Sequence, residues 1–143
     1  MPVSREVVQR YQQFFETLTD ASVEAFRDIA TPDVRYRDPL MDSKGIDAVV
    51  HSMHKWFKDL EGIRFEMKRY AIDDLIVFQH WTMSFRIKKL PKQPWCLEGM
   101  SKVTFSADGR VLDQVDYWDS APMLQSVPVL GLAVKAVRGI FAH

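Results

Sequence analysis

Three successive runs of period-two alternation, each ten or more residues long, most constrain what this chain can fold into. Leu75 to Ile87 sets Leu75, Val77, Gln79, Trp81, Met83, Phe85 and Ile87 against Ile76, Phe78, His80, Thr82, Ser84 and Arg86. Trp95 to Phe105 alternates likewise, and Ile63 to Ile72 does so in part. Period-two alternation is the signature of a strand with one buried face. Asp73-Asp74 reads as a tight hairpin turn, Lys89 to Pro94 as a longer hairpin loop, and Ala107-Asp108-Gly109 as the turn into a last strand, Arg110 to Trp118. Strands this long rarely lie flat, because each carries a right-handed twist. They are expected to coil into a cone.

Helical periodicity precedes this meander. From an N-cap at Ser4 to Asp20, Val7, Val8, Tyr11, Phe14, Phe15 and Leu18 recur at spacings that place them on one broad stripe. Ser22 caps a shorter helix, Val23 to Ala30, which Thr31-Pro32-Asp33 ends. Val34 to Asp38 alternates as a short strand stopped by Pro39, and PLMDSKG reads as a loop. Ile46 to Leu60 returns to helical spacing, and after Trp118 a short turn capped by Asp119 or Ser120 precedes a terminal helix, Val129 to Phe141. Segregated helices and strands define an α+β fold. The expectation is one domain over residues 1–143: a cone-shaped, curved antiparallel sheet wrapped around the N-terminal helices, with a C-terminal helix.

Composition narrows the function classes. Lys plus Arg equals Asp plus Glu at 19 each, so the basic surplus of a nucleic-acid binder is missing. Near-neutral charge permits self-association, and a homodimer is the expected assembly. A single cysteine, Cys96, precludes an internal disulfide and suits a reducing, cytoplasmic compartment; a half-buried thiol on a strand is the expected state. The final apolar stretch is interrupted by Lys135 and Arg138 and is too short to span a bilayer, so no membrane span is expected. Gly-rich phosphate loops are absent. His51 and His54 lie three apart on one helix without an evident third ligand, so no metal site is expected.

TLTDASVEAFRDIATPDV, RYRDP, SKGIDAV, FSADGRV and DYWD follow one another over nearly the whole chain. In that order they resemble landmarks of the cone-shaped α+β superfamily typified by nuclear transport factor two, ketosteroid isomerase and the SnoaL-type polyketide cyclases. That superfamily hosts isomerases, cyclases, dehydratases, epoxide hydrolases and non-catalytic binders, so the resemblance implies a fold and a pocket more than a reaction.

The resemblance to ketosteroid isomerases puts Asp38 of RYRDP where their proton-shuttling aspartate stands. A carboxylate at a strand end beneath apolar walls loses hydration, which raises its pKa toward a useful range. Their oxyanion hole pairs a Tyr with a protonated Asp. Those positions fall on Phe14, which cannot donate a hydrogen bond, and on Ser101, a weaker donor; Tyr11, one turn earlier, is a substitute. The limonene-epoxide-hydrolase pattern places an Asp at Asp116 of DYWD, but its paired Arg and Asp fall on Trp81 and Met83. Neither can position or deprotonate a water.

The candidate catalytic residues are therefore Asp38 and Asp116. The expected binding residues are Tyr11, Phe14, Met53, Trp81, Met83, Ser101 and Trp118, with Gln114 and Tyr36 as further polar members. The bland alternatives are a structural hydrogen bond to a neighbouring strand or a Tyr for Asp116, a cap on the loop before Gly45 or an Arg35 or Arg37 partner for Asp38, and plain core for the Trp and Met residues. The resemblance implies a cofactor-free protein taking a small hydrophobic carbonyl compound, with Asp38 moving a proton beside the carbonyl. The alternative is a non-catalytic binder or a dimeric interaction module of the same fold. The terminal helix is expected to cover the cone mouth or to join a dimer contact, in preference to sitting on a membrane.

Overall fold

The computed structural model describes residues 1–142, and of Pro91 the backbone alone. Helix α1 (Arg5–Glu16) starts where Ser4 Oγ accepts a hydrogen bond from Val7 N at 3.2 Å, with Glu6 favourably placed in the first turn. It stops at Thr17, short of the Asp20 expected from periodicity, because Thr17 turns out of helical geometry and its hydroxyl takes the Gln13 carbonyl. The second helical segment is split: a 3-10 turn (Ala21–Ala25) runs into a single turn, α2 (Phe26–Ile29), and Ala30 already belongs to strand β1 (Ala30–Asp38). Pro32 does not break β1, because it falls where pairing shifts register between Ala30 and Arg35.

The loop expected at PLMDSKG contains strand β2 (Met41–Lys44), which pairs antiparallel with β1. Gly45, at φ +86°, then donates its N–H to Val34 O at 2.7 Å and launches α3 (Ile46–Asp59). The remaining strands are β3 (Leu60–Asp73), β4 (Ile76–Ile87), β5 (Leu90–Phe105) and β6 (Val111–Trp118). Strand β5 begins five residues earlier than its alternation indicates; the Lys89–Pro94 loop contracts to a turn because Ile87 pairs with Leu90 across a register shift.

The six strands form one curved, unclosed sheet in the order β2-β1-β6-β5-β4-β3. Every pair is antiparallel except β1–β6, which is parallel and brings Tyr36 level with Gln114. Two register irregularities in β3 and one at each of the β4–β5 and β5–β6 pairings add the local twist that bends the sheet. The helices fill its concave side: Tyr11 meets Phe105 edge-on at 6.0 Å and Phe15 meets Phe65 at 5.3 Å. Two C-terminal helices complete the order, the short α4 (Ala121–Gln125), before which Asp119 Oδ1 accepts from Ala121 N at 3.0 Å, and α5 (Pro128–Phe141). Among the described residues no helix is long and apolar enough to cross a membrane.

Candidate functional site

Between α3 and the concave sheet lies a cavity of about 440 Å³. Its wall is aromatic: Tyr36, Trp56, Phe65 and Trp81 follow one another with centroid separations of 6.1, 6.2 and 6.4 Å. Met83, Leu97, Trp118 and Met123 add apolar surface, and His51, Lys55 and Asp59 stand exposed along the α3 side of the mouth. Gly99 sets the width at one point. It pairs with Trp81 across β4–β5, and a Cβ there would collide with the indole ring.

At the inner end, Asp116 carries one carboxylate among five polar neighbours. Tyr36 Oη donates to its Oδ2 in a short hydrogen bond, while Ser101 Oγ at 2.5 Å and Gln114 Nε2 at 2.9 Å donate to Oδ1. Trp81 Nε1 donates to Ser101 Oγ at 2.8 Å, which orients the serine hydroxyl toward the carboxylate. Tyr11, buried on α1, closes the cluster against Ser101 and Gln114. Burial drives the Asp116 carboxyl up to about 6; the three donors hold it from going higher, and the nearby Asp38 charge pushes the same way as burial. Burial and the Asp116 charge also push the Tyr36 and Tyr11 hydroxyls well above the ordinary phenol value.

Asp38 sits nearer the mouth, half-buried, at the end of β1. Its Oδ1 accepts from Leu40 N at 2.7 Å, yet desolvation outweighs the backbone donors and its pKa is raised. Neither flanking arginine pairs with it. Arg35 holds Asp42 at 2.7 Å and Arg37 reaches Asp113 at 3.3 Å. The strand's alternation explains this: Arg35 and Arg37 project to the opposite face from Tyr36.

The expected site residues separate into two layers. Asp38, Asp116, Trp81, Met83 and Trp118 line the cavity. Tyr11, Phe14, Met53 and Ser101 do not line it; they form the packed layer behind it. Phe14 turns toward Phe15 and Phe26, at 5.1 and 5.2 Å, because its position on α1 faces the helix cluster and not the sheet mouth. Ser101 has both of its hydrogen-bonding roles occupied, by Trp81 and Asp116. Sequence reasoning assigned Trp56 and Phe65 only to helix and strand patterning; their shared wall arises from long-range pairing that no local spacing records.

The other singled-out residues resolve simply. His54 bridges Asp20 and Glu24, both at 2.7 Å, pinning α3 to the 3-10 turn, while His51 faces the cavity mouth. Among the described residues no cluster of His, Cys, Asp and Glu could hold a metal ion. Cys96 is exposed rather than half-buried, since it lies on the outer face of β5 where nothing covers the sheet. Helix α5 contributes no residue to the cavity wall, so it does not cover the mouth.

The geometry has counterparts among known structures. A SnoaL-like polyketide cyclase, so assigned, from Jannaschia sp. CCS1 superposes with a TM-score of 0.73 at 15% identity, covering 87% of this chain and 90% of that one. An epoxide hydrolase of M. tuberculosis, like limonene epoxide hydrolase, gives 0.65 at 16% identity over 92% and 93% of the two chains. A Catenulispora acidiphila protein of ketosteroid-isomerase-like fold, solved with trimethylamine, gives 0.70 at 12% identity over 83% and 89%. At such identities these neighbours establish the fold alone. No curated protein matches the sequence. The SnoaL-like domain family, however, matches residues 11–114, most of the helix-sheet body that holds the cavity, and the chain belongs to that family.

Proposed function

We propose that this SnoaL-like domain binds a small hydrophobic carbonyl compound in its aromatic cavity and moves a proton at the carbon beside the carbonyl, without a cofactor. The observation that carries this reading is the pair of carboxylates, Asp38 and Asp116, on one apolar cavity in two different environments. Two titratable groups held apart in this way suit the roles of base and acid.

Asp38 is the base. It is reachable from the mouth, lacks a cationic partner, and is made more basic by desolvation. Its carboxylate takes the proton from the α-carbon, and the electron pair moves onto the carbonyl oxygen. When Asp116 is protonated it donates to Tyr36 Oη, which frees the Tyr36 hydroxyl to hydrogen-bond the enolate oxygen without transferring its proton. Delivery of that proton from Asp38 to a different carbon of the conjugated enolate re-forms the carbonyl and shifts the double bond, an isomerisation with no net change in atoms or electrons. Trp81, Met83 and Trp118 orient the ligand. Ser101 and Tyr11 act behind them, by positioning Asp116.

Neighbours of the same fold are described as a polyketide cyclase and an epoxide hydrolase. The test is deuterium exchange at the α-carbon of a panel of enolisable hydrophobic ketones, followed by NMR. Wild type is expected to accelerate exchange, and Asp38→Asn to lower the rate by about 10²–10⁴ while ligand-induced Trp fluorescence quenching persists. Equal exchange by the two proteins would remove Asp38 as base. Quenching without exchange in either would leave a non-catalytic binder.

A further inference from the structure

Helix α5 is built inside out. At 3.6 residues per turn, Gly131, Lys135, Arg138 and Gly139 share one narrow face, and Val129, Leu132, Val137, Ile140 and Phe141 spread over the rest. An amphipathic helix of a globular domain turns the second set inward. Here the inward contact is glycine: Gly131 is the only buried residue of α5, and a Cβ there would strike the Gln125 carbonyl of α4. The apolar arc faces away from the protein, with Val129 at 83%, Leu132 at 71%, Ile140 at 75% and Phe141 at 72% exposure. Nothing in the described chain covers it.

Charge identifies what does. From residue 120 to the end there is no Asp or Glu, and the charged residues are Lys135 and Arg138, on the opposite side from the apolar arc. Long basic side chains beside an apolar face reach the headgroup layer while the apolar face enters the acyl boundary. A second protein copy fits less well. The outward face is a strip about 21 Å long, and a second copy laid along it would offer Lys135 and Arg138 no Asp or Glu to meet, since residues 120–143 contain none. The same length is too short for the ~30 Å hydrocarbon core, so the helix lies on a bilayer and does not span it. We infer that α5 is an interfacial helix that docks this domain onto an anionic phospholipid surface through Val129, Leu132, Ile140 and Phe141, with Lys135 and Arg138 at headgroup level. This docking is independent of the chemistry proposed for the cavity.

The experiment is co-sedimentation of the full chain with vesicles of phosphatidylcholine alone and of its equimolar mixture with phosphatidylglycerol. Wild type is expected to partition onto the anionic vesicles, and more weakly as salt is raised. Leu132→Ser/Ile140→Ser/Phe141→Ser should lower partition by at least ~10-fold, with the thermal midpoint unchanged. Lys135→Gln/Arg138→Gln should lose about 10-fold on the anionic vesicles and little on the neutral ones. Absence of wild-type binding to anionic vesicles overturns the inference, as does equal binding by the triple variant. It is also overturned if wild type is dimeric in solution and the triple variant is a monomer, with no lipid partition by either.

Discussion

Helices α1 and α5 are of similar length and both carry a broad apolar stripe, yet they meet opposite fates. Helix α1 buries Val8, Tyr11, Phe14 and Phe15 against the concave sheet and the neighbouring helical turn. Helix α5 leaves its stripe in solvent and rests on a glycine. Periodicity is the same statement in both cases: a face that wants to leave water. What separates them is supply, because the concave side of a six-stranded sheet is already filled by α1, α2 and α3 before α5 arrives. An amphipathic pattern predicts burial against something, and only the rest of the fold decides whether that something is the protein itself.

Core substitutions should widen the contrast most. Phe15→Ala removes a ring packed on Tyr11, Phe14, Phe26 and Phe65, and should cost about 3–5 kcal/mol in urea unfolding. Phe141→Ala, the same truncation on α5, should stay within about 0.5 kcal/mol. Equal costs would mean that α5 is packed after all.

A pH effect comes next, and belongs to the α1 side alone. Burial holds the folded Asp116 carboxyl up at about 6, above the ordinary aspartate value of 3.8. Between these values the folded carboxyl binds more protons than the unfolded one, so the Asp116 contribution to stability falls as pH rises from about 4 to about 6 and is level above. The loss is on the order of 3 kcal/mol. Asp116→Asn should abolish that portion of the pH dependence, whereas Lys135→Gln/Arg138→Gln should leave it intact. A wild-type profile identical to that of the Asn variant would disprove the elevated carboxyl.

The smallest effect tests how α1 supports the site. Tyr11→Phe keeps the ring packing and deletes a buried hydroxyl near Ser101, Gln114 and Asp116. It should cost about 1–2 kcal/mol and move the Asp116 titration measured by NMR. An unmoved titration would confine Tyr11 to packing.

Much of this architecture was legible in the chain. The alternation of Leu75 to Ile87 placed Gln79, Trp81, Met83 and Phe85 on one face, and that face is the one buried. Asp38 of RYRDP and Asp116 of DYWD were singled out by resemblance to known families, and the fold brings both side chains to one cavity. Strand β2 was hidden, since four residues after Pro39 alternate too briefly to register against a loop. The Trp81–Ser101–Asp116–Tyr36 chain was hidden for a different reason. It joins four strands through pairings set by register shifts, and one shifted residue would turn each side chain to the other face. Phe14 illustrates the limit: its spacing fixed a face of α1, but not which neighbour that face would meet.

Gly99 carries a consequence for how such a cavity changes over generations. With the Trp81 indole seated directly over it, every mutation at that codon displaces the ring and, with it, the hydrogen bond that aims Ser101 at Asp116. Ligand scope and carboxylate positioning are thus inherited together at this point. Divergence toward a new ligand has freer routes at Met83, Leu97 and Met123, which touch the cavity without touching the polar cluster.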